Sequence, residues 1–178
     1  GDLAMQAARF AEAPLAFQPG DGWGYGASTD VLGRVVEVAS GQPLEVFMRR
    51  ELLAPLRMDH TYFIGPEGGV SDLARMYEKS ASGLREVPHP ADGIRWAAGG
   101  MGMASTVPDY MRFLRMMANG GFLDGERVLS PEAMWGLTKN ALSARQMPVE
   151  VGTPVSPGAG HSLGFGVVVN DPPSPPPP

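Results

Sequence analysis

The side chains with chemical potential are three histidines, a serine framed by glycines, and a tyrosine in a glycine-rich loop. His60, His89 and His161 lie far apart, with no His-x-x-x-His or His-x-Glu spacing and no carboxylates gathered around them. Metal ligation needs several donors converging at short spacing, so these read as ordinary loop histidines and no metal site is expected. Gly160-His161-Ser162-Leu163-Gly164 matches the G-x-S-x-G nucleophile elbow. An elbow needs a strand before the serine and a helix behind it. Here a Pro-rich stretch precedes Ser162, an apolar β-rich run follows it, and no acid-then-histidine pair lies downstream. Ser162 is therefore expected at a loop-to-strand junction. Gly22-Trp23-Gly24-Tyr25-Gly26-Ala27 is not a phosphate cradle either, because no apolar strand leads into it and no Gly-Lys-Ser/Thr follows. Tyr25 has two open readings: an exposed phenol on a rigid support, or aromatic packing shared with Trp23 beneath an irregular loop.

The elements that must position these residues are mostly helices between glycine and proline breaks. Residues 2–13 have helical character and stop at Pro14, and residues 17–28, with four glycines, form an irregular loop. Ser28 or Thr29 offers an N-cap to a helix marked by Val31, Leu32, Val35, Val36 and Ala39, ended by Ser40-Gly41. Pro43 suits the first turn of the next helix, which runs to about Leu53. A hairpin is expected within 73–87 around Ser80-Ala81-Ser82-Gly83. Ser105 to Asp109 starts a helix whose buried face should be Tyr110, Phe113, Leu114 and Met117, stopped by Asn119-Gly120-Gly121. Another helix opens at Ser130-Pro131-Glu132 and runs to about Lys139. Residues 141–160 read as loop, and Leu163 to Val169 as a strand entering a sheet that this chain does not supply.

Composition narrows the function classes. The chain has 178 residues, 43% hydrophobic and 19% charged, which is a globular balance with room for one core. A net charge of −5, with Lys79 and Lys139 the only lysines and the arginines scattered, argues against nucleic-acid binding. No run reaches the roughly 18 apolar residues of a membrane span. Cysteine is absent, so disulfides, thiolate nucleophiles and cysteine-based metal sites are excluded. The start at Gly1 and the Pro-rich stretch 171–178, expected as an extended tail, lead us to expect a piece of a longer protein.

Four stretches in order carry a family resemblance. The first runs Pro14-Leu15-Ala16-Phe17-Gln18-Pro19-Gly20, Trp23-Gly24-Tyr25-Gly26-Ala27-Ser28 and Asp30-Val31-Leu32-Gly33. The second is Glu51-Leu52-Leu53-Ala54-Pro55-Leu56-Arg57-Met58-Asp59-His60-Thr61. The third is Gly99-Gly100-Met101-Gly102-Met103-Ala104-Ser105-Thr106 with Asp109-Tyr110 and Phe113, and the fourth Ser162-Leu163-Gly164-Phe165-Gly166. Together they resemble the serine β-lactamase-like superfamily over residues 14–169, on the branch of class C β-lactamase-related esterases and D-alanyl-D-alanine carboxypeptidases.

The resemblance implies an α+β, β-lactamase/transpeptidase-like fold. Residues 1–161 would be its helical middle domain, 162–170 the first strand returning to the sheet, and 171–178 a tail. It maps Tyr25 to the catalytic tyrosine of the Y-x-N-type motif. A phenol, with an ordinary pKa of about 10, acts as a base only where cations stabilise the phenolate, and the family supplies the lysine of Ser-x-x-Lys. No serine of this chain has Lys three positions on, and neither lysine is followed by Thr-Gly. The nucleophile is thus expected outside this chain, and the chain alone is expected to be inert.

Position 27, third in the motif, is alanine, which lacks the amide that would hydrogen-bond a β-lactam side chain. The resemblance therefore implies a carboxylesterase acting on small esters. A β-lactamase or carboxypeptidase is the alternative, and a non-catalytic penicillin-binding-like module the second. Ala27 and Gly100 are the expected substrate-side residues. Trp96, Met101 and Met103 stand equally as acyl-pocket lining or as core. No cofactor is implied, and the oligomeric state and compartment are left open.

Overall fold

The computed structural model describes residues 2–65, 73–89, 93–147 and 159–169. It is an α+β structure in two compact units, one of residues 1–12 and 27–115, the other of 13–26 and 116–178. The Pro-rich stretch expected as a tail at 171–178 lies outside the described residues.

In the first unit, helix α1 (Leu3–Glu12) begins where Asp2 Oδ1 accepts the Met5 N–H at 2.8 Å. It lies against α2 (Ser28–Ser40), which the sequence located through its apolar spacing. The cap differs from expectation: Ala27 holds the N-cap position with no side-chain hydrogen bond, so neither Ser28 nor Thr29 caps. Gly33 is the packing point of α2. A Cβ there would stand 3.0 Å from both Leu3 and Leu44 side chains and 3.2 Å from Gly99 Cα. Glu37 ties the end of α2 to the start of the next helix, accepting from Arg34 Nη1 at 3.0 Å and from the Leu44 N–H at 3.1 Å.

After Pro43 at its N-cap, α3 (Leu44–Met48) widens into a π-helical turn at Arg49–Leu53. There Ala54 N–H donates to Arg49 O, and Met58 N–H to Leu53 O, each five residues back at 2.9 Å. Leu44 before this turn, and Leu53, Leu56 and Met58 at its end and beyond, are all buried. Strand β1 (Tyr62–Phe63) pairs antiparallel with β4 (Met103–Ala104), extended by Ile64 N–H to Gly102 O at 2.6 Å. Between them in sequence is the expected hairpin, β2 (Met76–Ser80) and β3 (Gly83–Val87), largely exposed and flanked by Arg85–Glu78 and Arg75–Glu86 ion pairs.

Helix α4 (Val107–Ala118) starts where Thr106 Oγ1 accepts the Asp109 N–H. Its inward face is half the one expected. Phe113 and Met117 are partly buried, but Tyr110 and Leu114 are exposed, and the inner positions are taken by Asp109 and Met116, which are buried, and by Arg112, which is partly buried. The reason is polar. The Asp109 carboxylate accepts from His60 N–H at 2.8 Å and from Thr61 Oγ1 at 2.9 Å, and Arg112 Nε reaches Leu56 O. A buried acid with matched donors holds the phase that apolar spacing assigned to its neighbours.

In the second unit, a short hairpin of β5 (Phe122–Leu123) and β6 (Glu126–Arg127) turns on Asp124-Gly125, both with positive φ. Helix α5 (Pro131–Thr138) is capped by Ser130, whose Oγ accepts the Ala133 N–H at 3.1 Å. A single helical turn at Ala144–Gln146 carries a reciprocal capping box with Ser143. The strand expected over 163–169 is shorter, β8 (Gly166–Val168), and its sheet partner is within the chain: β7 (Ala159–His161), in a stretch read as loop. Residues 162–165 are the turn between them. Ser162 is buried there, its Oγ accepting from Gly164 N–H and Phe165 N–H and donating to Phe165 O.

Candidate active site

Tyr25 stands in the second unit on a loop braced by two other aromatic rings. The Phe17 ring underlies Gly22 so closely that a Cβ there would meet it at 3.1 Å. Gln146 Nε2 donates to Gly22 O at 3.4 Å. Trp23 is partly buried, its ring centroid 5.2 Å from that of His161 and 6.4 Å from that of Tyr25. The backbone of His161 is pinned in turn, its N–H to Asn140 Oδ1 at 3.1 Å and its O to Ala141 N–H at 2.9 Å. Its Nδ1 lies 2.7 Å from Ser162 O. Between the two readings of this loop, Trp23 is the packing ring and Tyr25, 76% exposed, is the presented phenol.

Ala27 and Gly100 belong to the first unit. Ala27 caps α2 through its carbonyl, which accepts from Asp30 N–H at 3.0 Å and Val31 N–H at 3.2 Å. Gly99 and Gly100 press against that same turn. A Cβ on Gly99 would fall 2.0 Å from Thr29 O, and one on Gly100 2.8 Å from Thr29 Oγ1 and 3.0 Å from Asp30 Oδ2. Gly100 N–H donates to Asp30 Oδ1 at 3.2 Å. Gly99 is a close-approach residue facing backbone, where a side chain has no room, whereas the atoms that face Gly100 belong to the Thr29 and Asp30 side chains.

Beside them opens an apolar groove of about 460 Å³, lined by Leu32, Val36, Met48, Phe63, Gly100, Met101 and Met103 among others. Of the three residues left between pocket and core, Met101 and Met103 line this groove. Trp96 does not: it borders a separate cleft of about 270 Å³ with Asp2, Glu37 and Arg95. Ala27 lines neither.

Sequence reasoning missed one residue in each unit. Asp30 sits in the first turn of α2, where an acid complements the helix dipole, and nothing in that local pattern marks it as the acceptor that holds Gly100. His161 was read as a loop histidine, and its stack on Trp23 is a contact between distant segments that no local pattern announces. Ser162 makes three hydrogen bonds in its turn, which suits a structural staple. Among the described residues, no three histidine, cysteine or acidic side chains converge as a metal cage. No described helix is long and apolar enough to cross a membrane.

With this geometry in hand, comparison with known proteins identifies the class. The family described as Beta-lactamase matches residues 4–177, and the chain belongs to that family. It is 33% identical to Protein Rv1367c of Mycobacterium tuberculosis over 169 residues, covering 92% of this chain and 42% of that protein. It is 36% identical to Esterase EstB of Burkholderia gladioli over 146 residues, covering 68% of this chain and 36% of the esterase. The fold is similar to that of the octameric penicillin-binding protein homologue from Pyrococcus abyssi, with TM-score 0.67 and 25% identity over 92% of this chain and 34% of that one. The chain thus spans less than half the length of these relatives. Its mixed helix and strand structure is that of the β-lactamase and transpeptidase-like proteins.

Proposed function

We propose that the chain is the tyrosine-bearing part of a serine hydrolase that cleaves small carboxylic esters through an acyl-enzyme. The observation that carries this reading is the presented phenol of Tyr25 on a loop anchored by Trp23 and Phe17. The nucleophile is the serine of a Ser-x-x-Lys pair in a segment outside this chain, since no serine here has that spacing. Residues 1–161 are taken as the helical middle of that longer protein and 162–170, which include β8, as its entry into the sheet.

In the proposed reaction the serine oxygen attacks the ester carbonyl, and Tyr25, kept anionic by the lysine ammonium, accepts the serine proton. The tetrahedral intermediate collapses with cleavage of the C–O bond, and Tyr25 returns the proton to the departing alkoxide. Water then hydrolyses the acyl-enzyme by the same proton path. Two features support an ester over a β-lactam. Ala27 has no donor or acceptor for an amide side chain, and the groove beside Gly100 is apolar, as an acyl chain needs. The similarity to EstB leans the same way.

The test has two arms. Intact-mass analysis of this chain after a reactive fluorophosphonate, with p-nitrophenyl butyrate as substrate, should show no adduct and no turnover. In a longer protein that contains the Ser-x-x-Lys, the label should fall on that serine, and Tyr25→Phe should lower turnover by about 10²–10⁴-fold with the fold intact. A stoichiometric adduct on Ser162, or esterase activity retained by Tyr25→Phe, overturns the proposal. Faster turnover of a chromogenic cephalosporin than of the ester would move the substrate to the β-lactam class.

A further inference from the structure

The pairing of His161 with Trp23 has chemistry that a packing contact does not require. The acceptor facing Nδ1 is a backbone carbonyl, Ser162 O at 2.7 Å, so Nδ1 carries a hydrogen in every charge state. Nε2 has no hydrogen-bond partner among the described residues, so a proton placed there leaves the bond at Nδ1 intact. The backbone on both sides is fixed by Asn140 and Ala141, which holds the ring where it is. The ring is 5.2 Å from the indole centroid and tilted by 38°, within the range in which a cation is attracted to an aromatic face. Trp23 is in turn the ring beside Tyr25.

We propose that His161 is a positioning residue for the Tyr25 loop, and that its protonation clamps the loop through Trp23. With the imidazole neutral, the stack is an ordinary aromatic contact. With the imidazolium formed, it becomes a cation–π contact, and the loop's open-to-closed ratio falls by about two- to thirtyfold, the range such contacts span. Few other charges belong to the elements packed against this ring. Strand β8 has none, the segment around Asn140 carries Lys139 and Arg145, and the glycine loop carries Asp21 and Tyr25. The catalytic meaning of the clamp rests on the role proposed for Tyr25; the clamp itself does not.

The experiment is an NMR titration of this chain from pH 8 to pH 5, crossing the range in which imidazole gains its charge. The His161 Hε1, Trp23 Hε1 and Tyr25 ring signals should move with one shared midpoint, and the averaged Tyr25 shifts should report the tightening. In His161→Gln that shared titration should vanish. His161→Phe, which keeps an aromatic ring on Trp23 without a proton to gain, should hold the Trp23 and Tyr25 signals constant while the hairpin stays folded. Flat Trp23 and Tyr25 signals while wild-type His161 titrates would overturn the proposal, as would an unchanged titration in His161→Phe. Failure of the esterase assay in Tyr25→Phe bears only on the function of Tyr25, so the two ideas fall separately.

Discussion

Replacing Gly99 by alanine puts a methyl group 2.0 Å from Thr29 O, 2.8 Å from Thr29 C and 3.1 Å from Asp30 Cα. All three are backbone atoms of the first turn of α2, so no flexible side chain can swing aside. Ordinary contact lies above about 3.4 Å, and the 99–100 segment must therefore retreat by more than an ångström. That retreat breaks the 3.2 Å bond from Gly100 N–H to the Asp30 carboxylate. Overpacking of this kind costs about 1–3 kcal/mol, and a hydrogen bond to a charged acceptor contributes about 1.5–3 kcal/mol. A loss near 3 kcal/mol corresponds to a fall in Tm of about 6–12 °C for a chain of this size. Gly26→Ala is the control. Nothing lies within 4 Å of its Cβ position and its φ is not positive, so it should be neutral or gain about 0.4–1 kcal/mol. Thermal unfolding of the two variants side by side reads the difference directly. Equal melting temperatures would refute the close-approach reasoning.

Further expectations are more local. Ser162→Ala removes an oxygen that accepts two N–H groups in the β7–β8 turn, and should cost about 1–3 kcal/mol in denaturant unfolding while leaving fluorophosphonate reactivity unchanged. Asp109→Ala takes the acceptor from the half-buried His60 N–H and leaves the buried Thr61 hydroxyl with Ser105 Oγ alone. A loss of about 2–4 kcal/mol is expected, visible as early exchange of the His60 amide. The Glu132 carboxyl is held below the ordinary glutamate value, first by its own backbone N–H at the start of α5, then by the Ser130 hydroxyl, with a smaller pull from Arg127. A lowered folded value means that its stabilising contribution is whole above the ordinary glutamate range. It is lost as pH falls through the lowered value, so acid melting curves of Glu132→Gln should lack that component.

What could be read from the sequence was what short segments decide for themselves. Ser130-Pro131 and Gly41 bound their helices through cap chemistry carried within a few residues, and both ends are where the sequence put them. Asp124-Gly125 was equally legible. It is a strong hairpin signal, and the β5–β6 turn there was missed only because the flanking strands are two residues each. Long-range pairings were another matter. Nothing local sets β1 against β4, and the inward phase of α4 depends on donors from His60 and Thr61, 49 and 48 residues away. The same division holds for the candidate site. Tyr25, Ala27 and Gly100 came from motif resemblance, whereas Asp30 under Gly100 and His161 over Trp23 are products of the folded chain.

The π-helical turn at Arg49–Leu53 makes length itself a specification. An α-helix advances about 100° per residue, and this turn accommodates one residue beyond that winding, which sets the angle at which Leu53, Leu56 and Met58 leave the helix. Losing one residue of 49–53 lets the wide turn relax to regular α-helix, so the extra residue is itself what is given up and Leu56 keeps its place in the interior. Gaining one asks the turn to hold two residues beyond regular winding, which turns everything after it by about that angle and takes Leu56 out of the core. A library of single-residue deletions and insertions should therefore be asymmetric along this segment, with deletions tolerated better than insertions, and should lose that asymmetry in the exposed β2–β3 hairpin.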